Sequence, residues 1–326
     1  MRCLVTGCAG FIASHLCAQL LADGHEVVGV DAFTDYYPRA VKERNVAPLL
    51  PSSRFRLHDA DLLTTSLPSF IDGVDVVFHQ AGQPGVRASW GDEFDIYTRH
   101  NVLATQRLLE ACRTSARLRR VVYASSSSIY GNARALPITE TTPPQPVSPY
   151  GVTKLAGEHL CALYHTNFGV PVVALRYFTV YGAGQRPDMA FHRFITAALT
   201  GQPITIHEDG RQTRDFTHVG DIVQANILAA ECPAAIGQTY NIAGGARVTL
   251  NHALALIADL SGHALDTRYA PKQAGDVRDT YADITRARHD LGYAPIMSLE
   301  DGLRDEITWL EGVVADAEAA LMAAVS

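Results

Sequence analysis

Thr6-Gly7-Cys8-Ala9-Gly10-Phe11-Ile12-Ala13 decides how the chain is read. It follows a β-branched run, Cys3–Thr6, and opens an amphipathic stretch, Ile12–Leu21. A glycine-rich turn from strand into helix is a phosphate cradle. Gly7 permits the tight turn, Gly10 lets the backbone approach a pyrophosphate, and the helix N-terminus stabilises the negative charge. The third small position is Ala13, where helix and strand pack closely. Asp31 ends the second strand about 20 residues past the glycines. A carboxylate there accepts hydrogen bonds from the adenosine ribose hydroxyls and repels a 2′-phosphate, so the pattern predicts NAD rather than NADP.

The pattern continues outward from that turn. Glu26–Val30, Phe55–His58, Val74–His79, Arg120–Ala124 and Val172–Arg176 read as further strands, with helical stretches such as Asn101–Cys112 between them. Alternating strand and helix predicts an α/β fold, a Rossmann-type doubly wound parallel sheet. The second half is less regular. Helices are expected at Phe191–Thr200, Asp221–Glu231, Leu250–Asp259 and Leu299–Leu310, strands near Ile204–Ile206 and Thr239–Ile242, and a fraying Ala-rich helix from about Val313. We therefore expect an NAD-binding domain over residues 1–178 and a smaller C-terminal α/β substrate domain over 179–326, partly interleaved with the first.

With 326 residues, 47% of them hydrophobic, the chain can bury a sizeable core. A formal charge of −7 without a basic block argues against a nucleic-acid partner or an anionic membrane surface. No apolar run approaches the roughly 18 to 20 residues that a membrane span needs, and the N-terminus reads as a strand rather than a signal peptide. The six cysteines show neither a CxxC pair nor metal-ligand spacing. Reduced thiols in a cytoplasmic protein, with no metal, are the expectation.

Tyr150 and Lys154 follow Ser148-Pro149, a helix cap and first turn. Four-residue spacing sets both side chains on one helix face. An ammonium beside a phenol lowers the phenol pKa from about 10, and a bound nicotinamide cation lowers it further. The product is a general base for a sugar hydroxyl. The serine run Ser125-Ser126-Ser127-Ser128 ends a preceding strand.

TGCAGFIASH, Asp31, Asp61-Leu62, HQAGQ (79–83), SSSSIYG (125–131) and YGVTK (150–154) together resemble the extended short-chain dehydrogenase/reductase family, over about residues 1 to 310. The resemblance implies that Ser126 hydrogen-bonds the reacting oxygen beside Tyr150 and Lys154. It sets Asp61-Leu62 at the adenine, Gln80, Ala81 and Gly82 along the cofactor, and Asn101 near the nicotinamide. Phe11, Ile12 and Tyr177 join the cofactor set. It also implies a homodimer built by pairing the helices at Asn101–Cys112 and Tyr150–His165 into a four-helix bundle.

Three sister reactions of the family begin with oxidation of a sugar C4 hydroxyl. Dehydratases of the family carry an Asp-Glu pair, and UDP-glucuronate decarboxylases a Glu, where this chain has Ser127 and Ser128. By subtraction, C4 epimerisation through a 4-keto intermediate and transient NADH is favoured. Residues 176–182 (RYFTVYG), 185–193 (QRPDMAFHR) and 79–87 (HQAGQPGVR) resemble the UDP-glucuronate 4-epimerase group, although most relatives have Asn at the position of Thr179. Ser127, Ser128 and Thr179 offer hydroxyls to a C6 carboxylate, and Arg186 offers a guanidinium fork. Arg186 at the nucleotide, and Arg87 as a plain surface arginine rather than a substrate contact, remain alternatives. Arg214 resembles the family's phosphate-contacting arginine, and Asp276 the carboxylate at the nucleotide ribose. Gln273 stands where galactose-type epimerases carry an arginine, leaving Lys272 or Arg278 as substitutes. A galactose-type epimerase, a decarboxylase, a 4,6-dehydratase and a non-catalytic dinucleotide sensor stay open as other readings. The presence of both Tyr150 and Lys154 weighs against the sensor.

Overall fold

The computed structural model describes residues 1–325. In chain order the elements of the first half are β1 (Arg2–Thr6), α1 (Phe11–Ala22), β2 (Glu26–Asp31), α2 (Arg39–Val46), β3 (Phe55–Asp59), α3 (Pro68–Ile71), β4 (Val76–His79), α4 (Phe94–Tyr97), α5 (Ala104–Arg113), β5 (Arg120–Ser126), α6 (Pro149–Phe168) and β6 (Val172–Tyr177). There follow β7 (Val180–Tyr181), α7 (Ala190–Thr200), β8 (Ile204–His207), β9 (Thr213–Asp215), β10 (Thr217–His218), α8 (Val219–Glu231) and β11 (Thr239–Ile242). The remainder comprises β12 (Arg247–Thr249), α9 (Leu250–Ser261), β13 (Thr267–Ala270), α10 (Thr285–Leu291) and α11 (Leu299–Val325).

Seven strands form one parallel sheet in the order β11-β6-β5-β4-β1-β2-β3. The strand order reverses between β1 and β4, and that switch point opens a crevice at the carboxyl ends of the strands. β4, β5 and β6 are buried along their whole length, as Val-rich strands covered on both faces must be. Leu16, Cys17 and Ala13 of α1 meet Ile222 and Ala225 of α8 on one face, while Leu108 and Cys112 of α5 meet Cys161 of α6 on the other. Thr239–Ile242, expected among the irregular second-half strands, extends the large sheet beside β6, so the chain crosses back after leaving it.

A third core lies among α7, α9 and α11, built from Phe191, Phe194, Ile257, Leu303 and Ile307. Three two-stranded pairs, β7 with β10, β9 with β12 and β8 with β13, surround it. The sequence reading placed the last regular helix at Leu299–Leu310 and expected a fraying Ala-rich helix from about Val313. The structure carries it on to Val325, as the strong helix propensity of alanine favours. All six cysteines are free thiols, and five are buried. No helix of the described residues is long and apolar enough to cross a membrane.

Candidate active site

A cavity of about 220 Å³ opens at the switch point. Gly7 forms its floor with φ +71°, and its amide donates to Val30 O (2.7 Å), tying the turn to β2. A Cβ at Gly7 would come within 2.8 Å of Ala81 Cα, so glycine is required by space as well as by conformation. The N-terminus of α1 has no side-chain cap and no acid in its first turn, which leaves its amides for an anion. Gly10, Phe11 and Ile12 line the cavity there.

Asp31 is buried beside this turn. One carboxylate oxygen accepts from Ala9 N (3.0 Å) and the other from Phe33 N (2.8 Å). Each oxygen keeps a lone pair for a ribose hydroxyl. Asp61, Leu62, Ala81 and Gly82 line the same space. Gln80 and Tyr177 line it as a bonded pair, Tyr177 OH donating to Gln80 Oε1 (3.1 Å), with Asn226 locking both.

Asn101 does not line the cavity. A π-turn over Thr98–Leu103 rotates it inward, where Gln83 N donates to its Oδ1 (2.6 Å) and its Nδ2 donates to Gln83 O and Thr153 Oγ1 (both 3.0 Å). Its amide pins the loop after β4 to α6, directly behind the cavity wall. The helix expected over Asn101–Cys112 correspondingly begins as this π-turn and becomes regular at Ala104.

Ser148 caps α6, its hydroxyl accepting from Gly151 N (3.1 Å), and Pro149 fills the first turn. One face of α6 then presents Tyr150, Lys154 and Glu158 at four-residue intervals. Tyr150 and Lys154 line the cavity. Burial raises the Tyr150 phenol, opposed by the Ser126 hydrogen bond and the Arg186 charge. Burial lowers Lys154 to about 8. The Lys154 ammonium stands 5.0 Å from the Tyr123 ring centroid, and a Cβ on Gly82 would lie 3.6 Å from it. Ser126 Oγ also accepts from Ser128 N (3.1 Å), which aims the serine run.

A second cavity, of about 160 Å³, holds Ser127, Ser128, Thr179, Arg214 and Asp276 together. The Arg214 guanidinium donates to the carbonyls of Thr213 (2.8 Å), Arg278 (2.9 Å) and Val277 (2.8 Å). It is thus aimed by neutral backbone, and burial works against its charge while Asp276, Asp279 and Glu208 sustain it. Arg87, 189 positions earlier than Asp276, does not line this cavity but pairs with Asp276 through Nη2–Oδ2 (2.7 Å) and Nε–Oδ1 (3.3 Å). Arg186 lines the first cavity instead, in a two-point pair with Asp188 (3.0 and 3.1 Å). Lys272 faces Glu208, and Arg278 faces Glu208 and Asp209, so neither lines the second cavity.

The sequence reading passed over Tyr36, Tyr37 and Lys42, which all line the first cavity. Their signal was position, since the loop after Asp31 must run along whatever Asp31 holds. Glu158 was passed over too. It accepts from Ser125 Oγ (2.7 Å) and Arg176 Nε (3.0 Å) in a buried network. Its signal was the four-residue step beyond Lys154.

The sequence model of the NAD dependent epimerase/dehydratase family matches residues 3–243. The chain is 48% identical over 314 residues to the uncharacterized UDP-glucose epimerase YtcB of Bacillus subtilis strain 168, covering 96% of this chain and 99% of the relative. It is 34% identical over 312 residues to the UDP-glucuronate 4-epimerase of Thermodesulfobacterium geofontis strain OPF15, covering 94% and 95%. It also superposes, with TM-score 0.93 and 43% identity, on the UDP-glucuronic acid 4-epimerase of Bacillus cereus crystallised with UDP-glucuronic acid and NAD. That match covers 96% of this chain and all of the other. The glycine floor, the uncapped helix end and the Asp31 carboxylate fit a dinucleotide in the first cavity.

Proposed function

The chain belongs to the NAD dependent epimerase/dehydratase family, and from that premise we propose that it epimerises UDP-glucuronate at C4 to UDP-galacturonate. NAD, when bound, supplies hydride acceptance and return at C4. Gly7, Gly10, Phe11, Ile12, Asp31, Asp61 and Leu62 hold its adenosine and pyrophosphate half, and Gln80, Ala81, Gly82, Lys154 and Tyr177 its other half. Tyr150 takes the proton from the C4 hydroxyl and returns it. Ser126 hydrogen-bonds the same oxygen. Arg214 binds diphosphate, and Asp276 the nucleotide ribose with Arg87 as its partner. The unit after residue 178 supplies Thr179, Arg214 and Asp276 to the substrate, and α8 and β11 return to the first unit.

One observation carries the choice among sister reactions. Ser127 and Ser128 line the substrate cavity with Thr179, so hydroxyls stand at the two positions where the sister reactions need an acid or a base. Elimination of a C6 hydroxyl needs an acid and a base at that position, whereas epimerisation needs neither. Incubation with UDP-glucuronate, followed by separation of the products, tests the reading. UDP-galacturonate is expected; release of carbon dioxide with a pentose product, or no conversion, overturns it.

The working unit in this reading is a cytoplasmic homodimer. Leu103 before α5 and Val152 and Leu163 on α6 are exposed apolar side chains on the helices that would pair as a four-helix bundle. Such a face is normally covered.

A further inference from the structure

Tyr36 sits where three loops converge. Its own loop leaves β2 just after Asp31. The loop after β4 passes beneath it at Gly85, whose φ is +101° and where any Cβ would overlap the Tyr36 hydroxyl. Tyr97 OH holds that loop by donating to Pro84 O (2.7 Å) and Gly85 O (2.9 Å). From the third loop, Asp188 Oδ2 accepts from Tyr36 OH (3.3 Å). Asp188 in turn grips Arg186 at two points, Nε to Oδ1 (3.0 Å) and Nη2 to Oδ2 (3.1 Å). The Arg186 guanidinium lies 5.9 Å from the Tyr36 ring centroid. Tyr36, Arg186 and Tyr150 all line the first cavity.

We propose that Tyr36 and Asp188 are positioning residues that latch the loop after Asp31 onto Arg186, so that the closure of that loop over the dinucleotide fixes the guanidinium beside Tyr150. For its substrate consequence, the proposal rests on the reading of the chain as a uronate epimerase. A guanidinium has five N–H groups in a rigid fork. Asp188 occupies the Nε edge, which leaves Nη1 to face an anionic group in the cavity. A flexible arginine without this grip would have to be ordered at each encounter, and ordering a long side chain costs affinity. Tyr36 gives the carboxylate a second partner on the cofactor side, and Gly85 leaves room for the hydroxyl. The same arrangement holds the 32–38 loop across the cavity, so the latch also resists dinucleotide release.

A double-mutant cycle distinguishes a latch from three independent packing contacts. Tyr36→Phe, Asp188→Asn and Arg186→Ala are made singly and in pairs with Arg186→Ala. Two quantities are read: kcat/KM for UDP-glucuronate, and the rate of NADH release from protein loaded beforehand with NADH. Each single change at Tyr36 or Asp188 should lower kcat/KM by about five- to fiftyfold and speed NADH release several-fold, with less than about twofold further effect in the Arg186→Ala background. Multiplicative effects in both readouts would overturn the latch. If the wild type leaves UDP-glucuronate unconverted, the reading of the reaction fails, and the NADH cycle alone still decides the latch.

Discussion

Tyr150 and Lys154 stand one turn apart on α6 and line one cavity, yet burial moves their titrations in opposite directions, the phenol upward and the ammonium down to about 8. A phenol raised in this way is protonated at neutral pH and is a poor base. Ser126 and Arg186 are the groups of the protein that oppose the rise. The chain therefore tunes its base through a strand-end serine and a loop arginine as well as through the helix. The positive charge of a bound nicotinamide acts in the same direction.

The pH dependence of turnover has a definite sign. The base must be ionised to accept the C4 proton, so kcat rises with pH through the phenol pKa. Removing the Ser126 donor raises that pKa, and the acid limb of the kcat profile should move to higher pH in Ser126→Ala. At a fixed pH below the limb, each unit of movement costs about tenfold in rate. Tyr150→Phe should remove the limb with the activity, a loss of roughly 10² to 10⁴ in kcat, while UDP-sugar binding persists. Full profiles of the three proteins check both statements. A Ser126→Ala limb at the wild-type position would refute the tuning.

The dinucleotide site predicts two separable defects. Gly7→Ala places a Cβ 2.8 Å from Ala81 Cα at a φ of +71°, so it should abolish NAD retention outright. Asp31→Asn keeps an acceptor for Ala9 N or Phe33 N but loses the charge. It should weaken NAD and narrow the preference over NADP, because the repulsion of a 2′-phosphate is gone. Titrations with both cofactors measure the two effects. An unchanged NAD/NADP ratio in Asp31→Asn would show that the discrimination lies elsewhere.

Beneath the catalytic face, Glu158 and Arg176 form a buried pair, extended by Ser125 and by Tyr130 OH, which accepts from Arg176. Glu158→Gln leaves a buried guanidinium without its counter-charge, a change that typically costs roughly 3 to 5 kcal/mol. Denaturant unfolding should show that loss. A stability within 1 kcal/mol of the wild type would mean that Tyr130 and the Glu140 carbonyl, which Arg176 also reaches, suffice.

The dinucleotide half was legible because its requirements are local. A turn that needs Gly7, a carboxylate at the end of β2 and a four-residue step from Tyr150 to Lys154 all lie within short windows of sequence. The substrate half was less so. Arg87 meets Asp276 across 189 positions, and Arg186 lies in a different cavity from Ser127 and Thr179. Spacing along the chain carries no record of such contacts. At Asn101 a π-turn aims the amide at Gln83 and Thr153, contacts that spacing along the chain does not encode.

Assembly is testable without substrate. Leu163 on α6 is 56% exposed and Val152 48%, on the same helix that carries the catalytic face. Light scattering at micromolar concentration should give a dimer mass, and Leu163→Asp should shift it toward monomer by placing a charge in an apolar seam. A monomeric wild type would exclude the four-helix bundle.

The proposed chemistry carries a built-in hazard. Oxidation at C4 of UDP-glucuronate places the C6 carboxylate β to a ketone, and such acids lose carbon dioxide when the C5–C6 bond aligns with the carbonyl π system. An epimerase must hold the carboxylate out of that alignment while the ring presents its other face. Ser127, Ser128 and Thr179 line the second cavity, and Arg186 lines the first beside Tyr150. A sugar spanning both would meet hydroxyls on one side and a guanidinium on the other. Removing a charge-assisted contact costs roughly 1.5 to 3 kcal/mol, about ten- to a hundredfold in kcat/KM. Arg186→Ala should therefore lose most activity on UDP-glucuronate, and the turnover that remains should leak toward a decarboxylated pentose. UDP-glucose, which has no carboxylate, should be far less affected. The ratio of galacturonate to pentose, measured for both proteins, reads the restraint directly. If the variant slows both substrates equally and forms no pentose, Arg186 serves the nucleotide and the carboxylate is held by the three hydroxyls.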